Sequence, residues 1–325
     1  MSVVRCGVIG VGHLGKFHAK KYSILDNCEL VALADPNPEN AIELSKELKC
    51  DYVKDYKEIL ESVDVVSIVA PTSLHYEITS HVLKSGVGVL LEKPITDSVE
   101  EAKLLDKIAQ TNNVLLQIGH LERFNPAILK LKDIYLQGPY SNQYKLEPTF
   151  IEAVRISPFK PRAIDVDVIV DLMIHDIDLI LEMVNSPISK IFAKGAKVLS
   201  NTIDIANARI QFKNGCVANI TSSRVSEKTE RKMRVFAENA YHSIDFQDKL
   251  LKSSFLDKQK YISNIEKRIS TKTYKIEHSD ALETEIRKFI HSFTSSSPVV
   301  VSASDGIKAL ETAILITEKI HESVS

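Results

Sequence analysis

The chain has 325 residues, 44% hydrophobic and 26% charged, with 41 basic against 43 acidic side chains and a formal net charge of -2. That balance argues against a basic stripe for nucleic acid and against an acidic disordered tail, and the length favours two domains. Four cysteines without a Cys-x-x-Cys pair disfavour a zinc knuckle or a redox dithiol, and a strand close to Met1 with no apolar run near the roughly 20 residues that span a bilayer predicts a soluble, cytoplasmic protein.

Strand-like and helix-like patterns alternate through the first 120 residues. "VVRCGVIG" is an apolar run ending in glycine, residues 13–26 read as helix, and "CELVALAD" is a second strand. Helix follows at 38–48, then a short strand near Tyr52 and a helix at 56–62. Strands are expected at 64–70, 86–92 and 113–119, separated by helices at 74–85 and 98–110. Continuous Val/Ile/Leu runs are what strands become when helices cover both sheet faces. The alternation predicts a doubly wound parallel sheet, a Rossmann domain over 1–120. Ligands in such sheets bind beyond the carboxyl ends of the strands.

Those ends carry the unusual residues. "GVGHLG" places Gly10, Gly12 and Gly15, with His13 and Leu14 between them, at dinucleotide-binding spacing. The first glycine permits a tight turn, the second admits a pyrophosphate, the third lets helix and strand pack closely. Asp35 closes the second strand at a spacing suited to ribose hydroxyls. It would repel a 2′-phosphate, and Pro36 stands where an arginine could have received one, so NAD is expected over NADP. The next tip, "APTSLH", offers Ala70, Pro71 and Thr72 as cofactor contacts, with His75 either a contact or first-turn surface. "GVLLEKPIT" ends a core strand on Glu92, Lys93 and Pro94, and Gln117 lies near the end of the strand that follows. Lysine is seldom buried without a partner, and neighbours in a strand face opposite ways. Lys93 is therefore read as functional rather than as the partner of Glu92.

From residue 121 the alternation stops. "ERFNPAILKLKDIYL" begins a helix with Asn125 and Pro126 as cap and first-turn residue. Strands at 148–157, 189–197, 203–212, 216–223, 232–238 and 241–246 predict an open, mostly antiparallel sheet in a domain over 121–325, with helices at 167–184, 281–293 and 303–321. Residues 250–275 are polar and read as a surface excursion. On the helix "DVDVIVDLMIHDIDLILEMV", Asp171, His175 and Asp178 share a narrow face at i, i+4 and i+7. Asp176 falls in the apolar arc and needs a buried partner. One histidine with two aspartates is a poor zinc set, so no metal is expected.

Together Gly10-x-Gly12-x-x-Gly15, Asp35, "APTSLH", Glu92-Lys93-Pro94 and Asp171-x-x-x-His175 resemble the glucose-fructose oxidoreductase/inositol dehydrogenase/MocA (Gfo/Idh/MocA) family. The resemblance implies a Rossmann domain, a C-terminal open sheet used for homodimer or homotetramer assembly, and NAD(P)-dependent oxidation of sugar-like alcohols. It also implies Lys93 and His175 as the catalytic pair with Asp171 beside them, and a Lys-Pro peptide that is often cis. "GHLERFNPA" and "DLMIHDIDLIL" are more similar to the branch of UDP-N-acetylglucosamine 3-dehydrogenases, since glycines common in the wider family's helix are apolar residues here. That branch points to Glu122, Arg123 and Asn125 as substrate contacts. Arg155, Arg162 and Arg224, with Lys228, are suited to a diphosphate because guanidinium forks bind it bidentately; alternatively they are sheet-surface charge balanced by Glu227 and Glu230. The leading function is NAD-dependent oxidation of a UDP-N-acetyl-hexosamine hydroxyl. The alternatives are a free-sugar or cyclitol dehydrogenase and a non-catalytic NAD-binding regulator, which would not need Lys93 and His175 together.

Overall fold

Two sheets organise the chain. The computed structural model describes residues 3–136, 146–160, 166–256, 268–276 and 279–322. Six strands form the first sheet: β1 Val4–Ile9, β2 Cys28–Ala34, β3 Asp51–Val53, β4 Val65–Ile68, β5 Gly88–Glu92 and β6 Leu116–Gly119, in the order β3-β2-β1-β4-β5-β6. Every pairing is parallel. All four residues of β4 are buried, because helices cover both faces. The order reverses between β1 and β4, which is where a doubly wound sheet opens a crevice for ligands.

Helices α1 Gly15–Tyr22, α2 Pro38–Leu48, α3 His75–Lys84 and α4 Val99–Asn112 link these strands. Their ends are written locally. Asn37 caps α2 by accepting from the Glu39 N–H, with Pro38 at the first helical position, and Ser98 caps α4 through the Glu101 N–H. One face of the sheet is closed by a later segment. Ile286, Phe289 and Ile290 of α7 (Ala281–Ser295) join Val4, Cys6, Val8, Ala19, Tyr22 and Leu90 in one buried cluster. By contact grouping, residues 1–121 with 281–310 form one unit, and 122–280 with 311–325 form the other. The apolar arc of α7 completes the core of the parallel sheet.

The second unit holds α5 Pro126–Leu136, α6 Ile174–Val184 and eight strands: β7 Pro148–Ile156, β8 Ile188–Ala196, β9 Ile205–Phe212, β10 Val217–Ser223, β11 Glu230–Ala237, β12 Ala240–Asp245, β13 Leu250–Leu256 and β14 Ile269–Lys275. Their order is β14-β13-β12-β11-β7-β10-β9-β8, antiparallel except for the β7–β10 pair. Burial alternates along β9, with Ala206, Ala208, Ile210 and Phe212 inward and their neighbours outward. Two expectations are corrected here. Residues 250–275 are not simply a surface excursion, since β13 and β14 pair from Leu250↔Lys275 to Leu256↔Ile269; a sheet-edge strand buries little and so reads as polar. The helix expected from 167 begins as a π turn, Ile169–Met173, before α6 proper. The final helix, α8, spans Ala303–Glu322. No described helix is long and apolar enough to cross a membrane.

Candidate active site

Parallel register sets the strand tips of the first unit side by side. Ile9 pairs with Ala34 and Ile68, Ile68 pairs with Leu91, and Glu92 pairs with Gly119. The turn after β1 therefore lies between Asp35 and Ala70, and Lys93 leaves the neighbouring strand.

The three glycines are required for different reasons. Gly10 has φ +86°, and a Cβ there would stand 2.6 Å from the Val69 carbonyl oxygen. A Cβ on Gly15 would stand 1.9 Å from the Gly10 carbonyl oxygen. At Gly12, by contrast, a Cβ would meet no heavy atom within 4 Å. Nothing in the fold fills that side of the turn, which fits a backbone left open for a pyrophosphate at the start of α1. Leu14 and His13 are exposed beside it, His13 packing edge-on against Phe17. Asp35 is 6% exposed; its Oδ2 accepts from the Val11 N–H at 2.7 Å and its Oδ1 from the Asn37 N–H at 2.8 Å. Those bonds fix the carboxylate against the glycine turn, and each oxygen retains a lone pair for a ribose hydroxyl. The residues present fit NAD.

At the third tip Ala70 and Thr72 are half-buried and Pro71 is exposed. His75 is not first-turn surface. It is 1% exposed, with Nδ1 2.9 Å from the Pro94 carbonyl oxygen and Nε2 2.9 Å from the Ala70 carbonyl oxygen. Both ring nitrogens lie against carbonyl oxygens, so the ring sits between the 70–72 loop and the 93–94 turn, donating through whichever nitrogen carries the hydrogen. The Lys93-Pro94 peptide is cis, and Lys93 is half-buried. Glu92 turns inward, accepting from the Lys93 backbone N–H at 3.2 Å and meeting His18 Nε2 at 3.1 Å. Gln117 is fully buried within β6. The Glu92 carboxylate is committed to His18 and the Lys93 backbone N–H, whereas neither amide atom of Gln117 has a hydrogen-bond partner among the described residues.

In the second unit the π turn carries Asp171 and the first turn of α6 carries His175, both half-buried. A π turn breaks the regular ladder of an α-helix and recurs at functional sites. The remaining charges of α6 are committed elsewhere. Asp176 is forked by Arg155, Nε and Nη2 each at 2.9 Å, and Arg155 Nη1 reaches Glu122 at 2.8 Å. Asp176 does have the buried partner its position demands. Burial would lower the Arg155 pKa, but Asp176 and Glu122 outweigh that and hold it above the ordinary guanidinium value. Asp178 does not share a polar face with His175; it is 1% exposed and forked by Arg123 at 2.6 and 2.8 Å. Arg123 also meets Glu182, which binds Lys132 at 2.7 Å.

Several expected substrate contacts thus hold the fold. Glu122, Arg123 and Arg155 are spent in the ion pairs that dock α6. Asn125 caps α5 by accepting from the Ala127 N–H at 3.1 Å, and its amide donates to the Phe246 carbonyl at 3.2 Å. Arg224 is 4% exposed and binds Asp204 at 2.8 Å, the Val166 carbonyl at 2.9 Å, and the hydroxyls of Ser200 and Thr202. Burial pushes the Asp204 carboxyl up, but these hydroxyl, backbone and guanidinium donors bring it well below the usual range. Neither Arg155 nor Arg224 is a sheet-surface charge, and neither is placed to fork a diphosphate. Lys228 is a surface side chain 2.7 Å from Glu230. Arg162 lies outside the described residues. Among the described residues no group of three or more His, Cys, Asp or Glu side chains could hold a metal ion. Sequence reasoning missed His18, Ser67, Tyr22 and Glu285, buried behind Glu92; His18 and Glu92 are 74 residues apart, and no local pattern links them.

Comparison with known proteins agrees with this geometry. Residues 4–120 match the NAD-binding Rossmann-fold domain of the Gfo/Idh/MocA oxidoreductase family, and 156–242 match that family's C-terminal domain. The chain is 36% identical to UDP-N-acetylglucosamine 3-dehydrogenase of Acidithiobacillus ferrooxidans, over 97% of each chain. It is 29% identical to scyllo-inositol 2-dehydrogenase (NAD(+)) of Bacillus subtilis, over 69% of this chain and 68% of the relative. A solved structure of UDP-N-acetylglucosamine 3-dehydrogenase from A. ferrooxidans superposes with a TM-score of 0.90 at 35% identity, covering all of both chains.

Proposed function

Because the chain belongs to the Gfo/Idh/MocA family of NAD-binding oxidoreductases, we propose that it oxidises the carbon-3 hydroxyl of a UDP-N-acetyl-hexosamine, of the UDP-N-acetylglucosamine type, to a ketone. The observation that carries the choice of substrate is the full-length likeness to the UDP-N-acetylglucosamine 3-dehydrogenase, against a weaker and shorter likeness to the inositol enzyme. NAD, when bound, supplies the hydride acceptor. The glycine turn receives the pyrophosphate, and Asp35 accepts from the adenosine ribose hydroxyls. His175 takes the hydroxyl proton as general base, with Asp171 orienting it or relaying the proton. Lys93 donates to the same oxygen and stabilises the charge that develops there.

Two features support the wider setting. All four cysteines are free, in keeping with a reducing cytoplasm. Phe150, Phe236 and Tyr241 pack against one another with tilted rings across neighbouring strands on the more open face of the eight-stranded sheet, and Phe192 is 47% exposed. That face is proposed to join copies of the chain into a dimer or tetramer, which sedimentation would read. Of the arginines first matched to the diphosphate, Arg162 remains the candidate. Incubation with NAD and either UDP-N-acetylglucosamine or myo-inositol tests the substrate. Reduced nicotinamide and a keto-sugar with two hydrogens fewer are expected from the nucleotide sugar, and oxidation of the cyclitol alone would overturn the reading.

A further inference from the structure

The buried polar chain behind β5 has no part in the reading above. Tyr22 Oη lies 2.9 Å from Ser67 Oγ, Ser67 Oγ lies 3.0 Å from His18 Nδ1, and His18 Nε2 lies 3.1 Å from Glu92 Oε1. Tyr22 and Ser67 are fully buried and His18 is 2% exposed. One placement of hydrogens uses every donor: Tyr22 donates to Ser67, Ser67 to Nδ1, and the Nε2–H to the Glu92 carboxylate. The other carboxylate oxygen accepts the Lys93 backbone N–H. Gly119, across the strand pair, completes the seat, since a Cβ there would stand 3.3 Å from Glu92 Oε1.

We propose that Glu92 is a positioning residue for Lys93: clamped by His18 through this chain, its half-buried carboxylate accepts the Lys93 backbone N–H and fixes the turn that carries the lysine. The groups facing Glu92 are His18 and, beyond Ser67, Tyr22 from α1, Glu285 from α7, and Lys93 from its own turn; β4 and β6 contribute the non-titrating Ser67 and Gly119. Glu285 is fully buried, and neither of its oxygens is hydrogen-bonded among the described residues. Burial, and then the charge of Glu92, push the Glu285 carboxyl well above its ordinary value. Burial opposes ionisation of Glu92 too, but His18 and Lys93 outweigh it and hold its pKa low.

The proposal rests on the role given to Lys93 above, so its test reads Lys93 separately from turnover. The full-length protein is reductively methylated with 13C-formaldehyde, the Lys93 resonance is assigned by its loss in Lys93→Arg, and its titration is followed by NMR in wild type and Glu92→Gln. The variant should lower the Lys93 pKa by about one unit or more, about a tenfold loss of proton affinity. NAD affinity should be unchanged, and the pH profile of kcat/KM should move with the lysine. An unchanged Lys93 titration would overturn the proposal. A lysine that shifts while the kcat/KM profile stays still would support the positioning and overturn the catalytic role of Lys93 instead. Should Glu92→Gln not fold, His18→Ala carries the same expectation in weaker form, and His18→Gln, which restores a donor, reverses it; no shift in His18→Ala contradicts the proposal equally.

Discussion

Asp35 and Asp176 are both nearly buried carboxylates, yet one is held by backbone N–H groups of Val11 and Asn37 and the other by the guanidinium fork of Arg155. Backbone donors fix a carboxylate without cancelling its charge, so Asp35 remains an anion with lone pairs at a strand tip. A fork cancels the charge and occupies both oxygens, so Asp176 becomes part of the scaffold. Arg123 and Arg155 are likewise held by carboxylates inside the second unit. Ionic side chains near a motif acquire their roles from what already holds them.

The largest expected effect lies on the scaffold side. Arg155→Met strands the charges of Asp176 and Glu122 and should cost about 3–5 kcal/mol, seen by urea unfolding of the second unit. Removing Asp176 as well, as in the double variant with Asp176→Leu, should recover most of that loss. A single variant as stable as wild type would erase the contrast.

Lys93→Met and His175→Asn should behave in the opposite way. Each should unfold at the wild-type urea concentration and bind NAD normally, while kcat falls by a factor on the order of 10² or more. Near-normal turnover in either would misplace the chemistry.

His242 sharpens the comparison through pH. Its Nε2 meets Tyr135 Oη at 2.6 Å and its Nδ1 meets Ser253 Oγ at 2.9 Å, and burial lowers its pKa to about 4. The unfolded chain takes up this proton near pH 6.5, so the stabilisation is full above that pH and is lost as pH falls toward 4. The loss should be about 3 kcal/mol. His242→Phe should flatten the stability profile in that window, and an unaltered slope would assign the titration to another group.

A smaller effect is expected at the ribose. Asp35→Ser keeps a short polar side chain but removes the charge, and should narrow the preference for NAD over NADP by about tenfold. Calorimetric titration of both oxidised cofactors at one salt concentration measures this; an unchanged ratio would mean that Asp35 serves only the turn.

The parallel sheet was legible because its signals are local. Continuous apolar strands, the 10–15 glycine turn and Asp35 each carry their reason within a few residues. Where reading failed, the reason lay far along the chain or in weak burial. Arg155 meets Asp176 across 21 residues and Arg123 meets Asp178 across 55, so a stripe of acids on one helix could not show which were already paired. His75 looked like first-turn surface because its acceptors include Pro94, 19 residues on. β14 was missed because a polar edge strand resembles a loop, and β13, paired on both sides, because its inward set Leu251, Ser253 and Phe255 includes a polar residue. The π turn before His175 has no recognisable sequence signature here.

The most direct test of the central claim uses UDP-N-acetylglucosamine carrying deuterium on carbon 3, incubated with the protein and oxidised NAD. Hydride transfer from that carbon predicts reduced nicotinamide that carries the deuterium, together with a 3-keto nucleotide sugar. Reduced nicotinamide without the label, or none formed at all, would contradict the account.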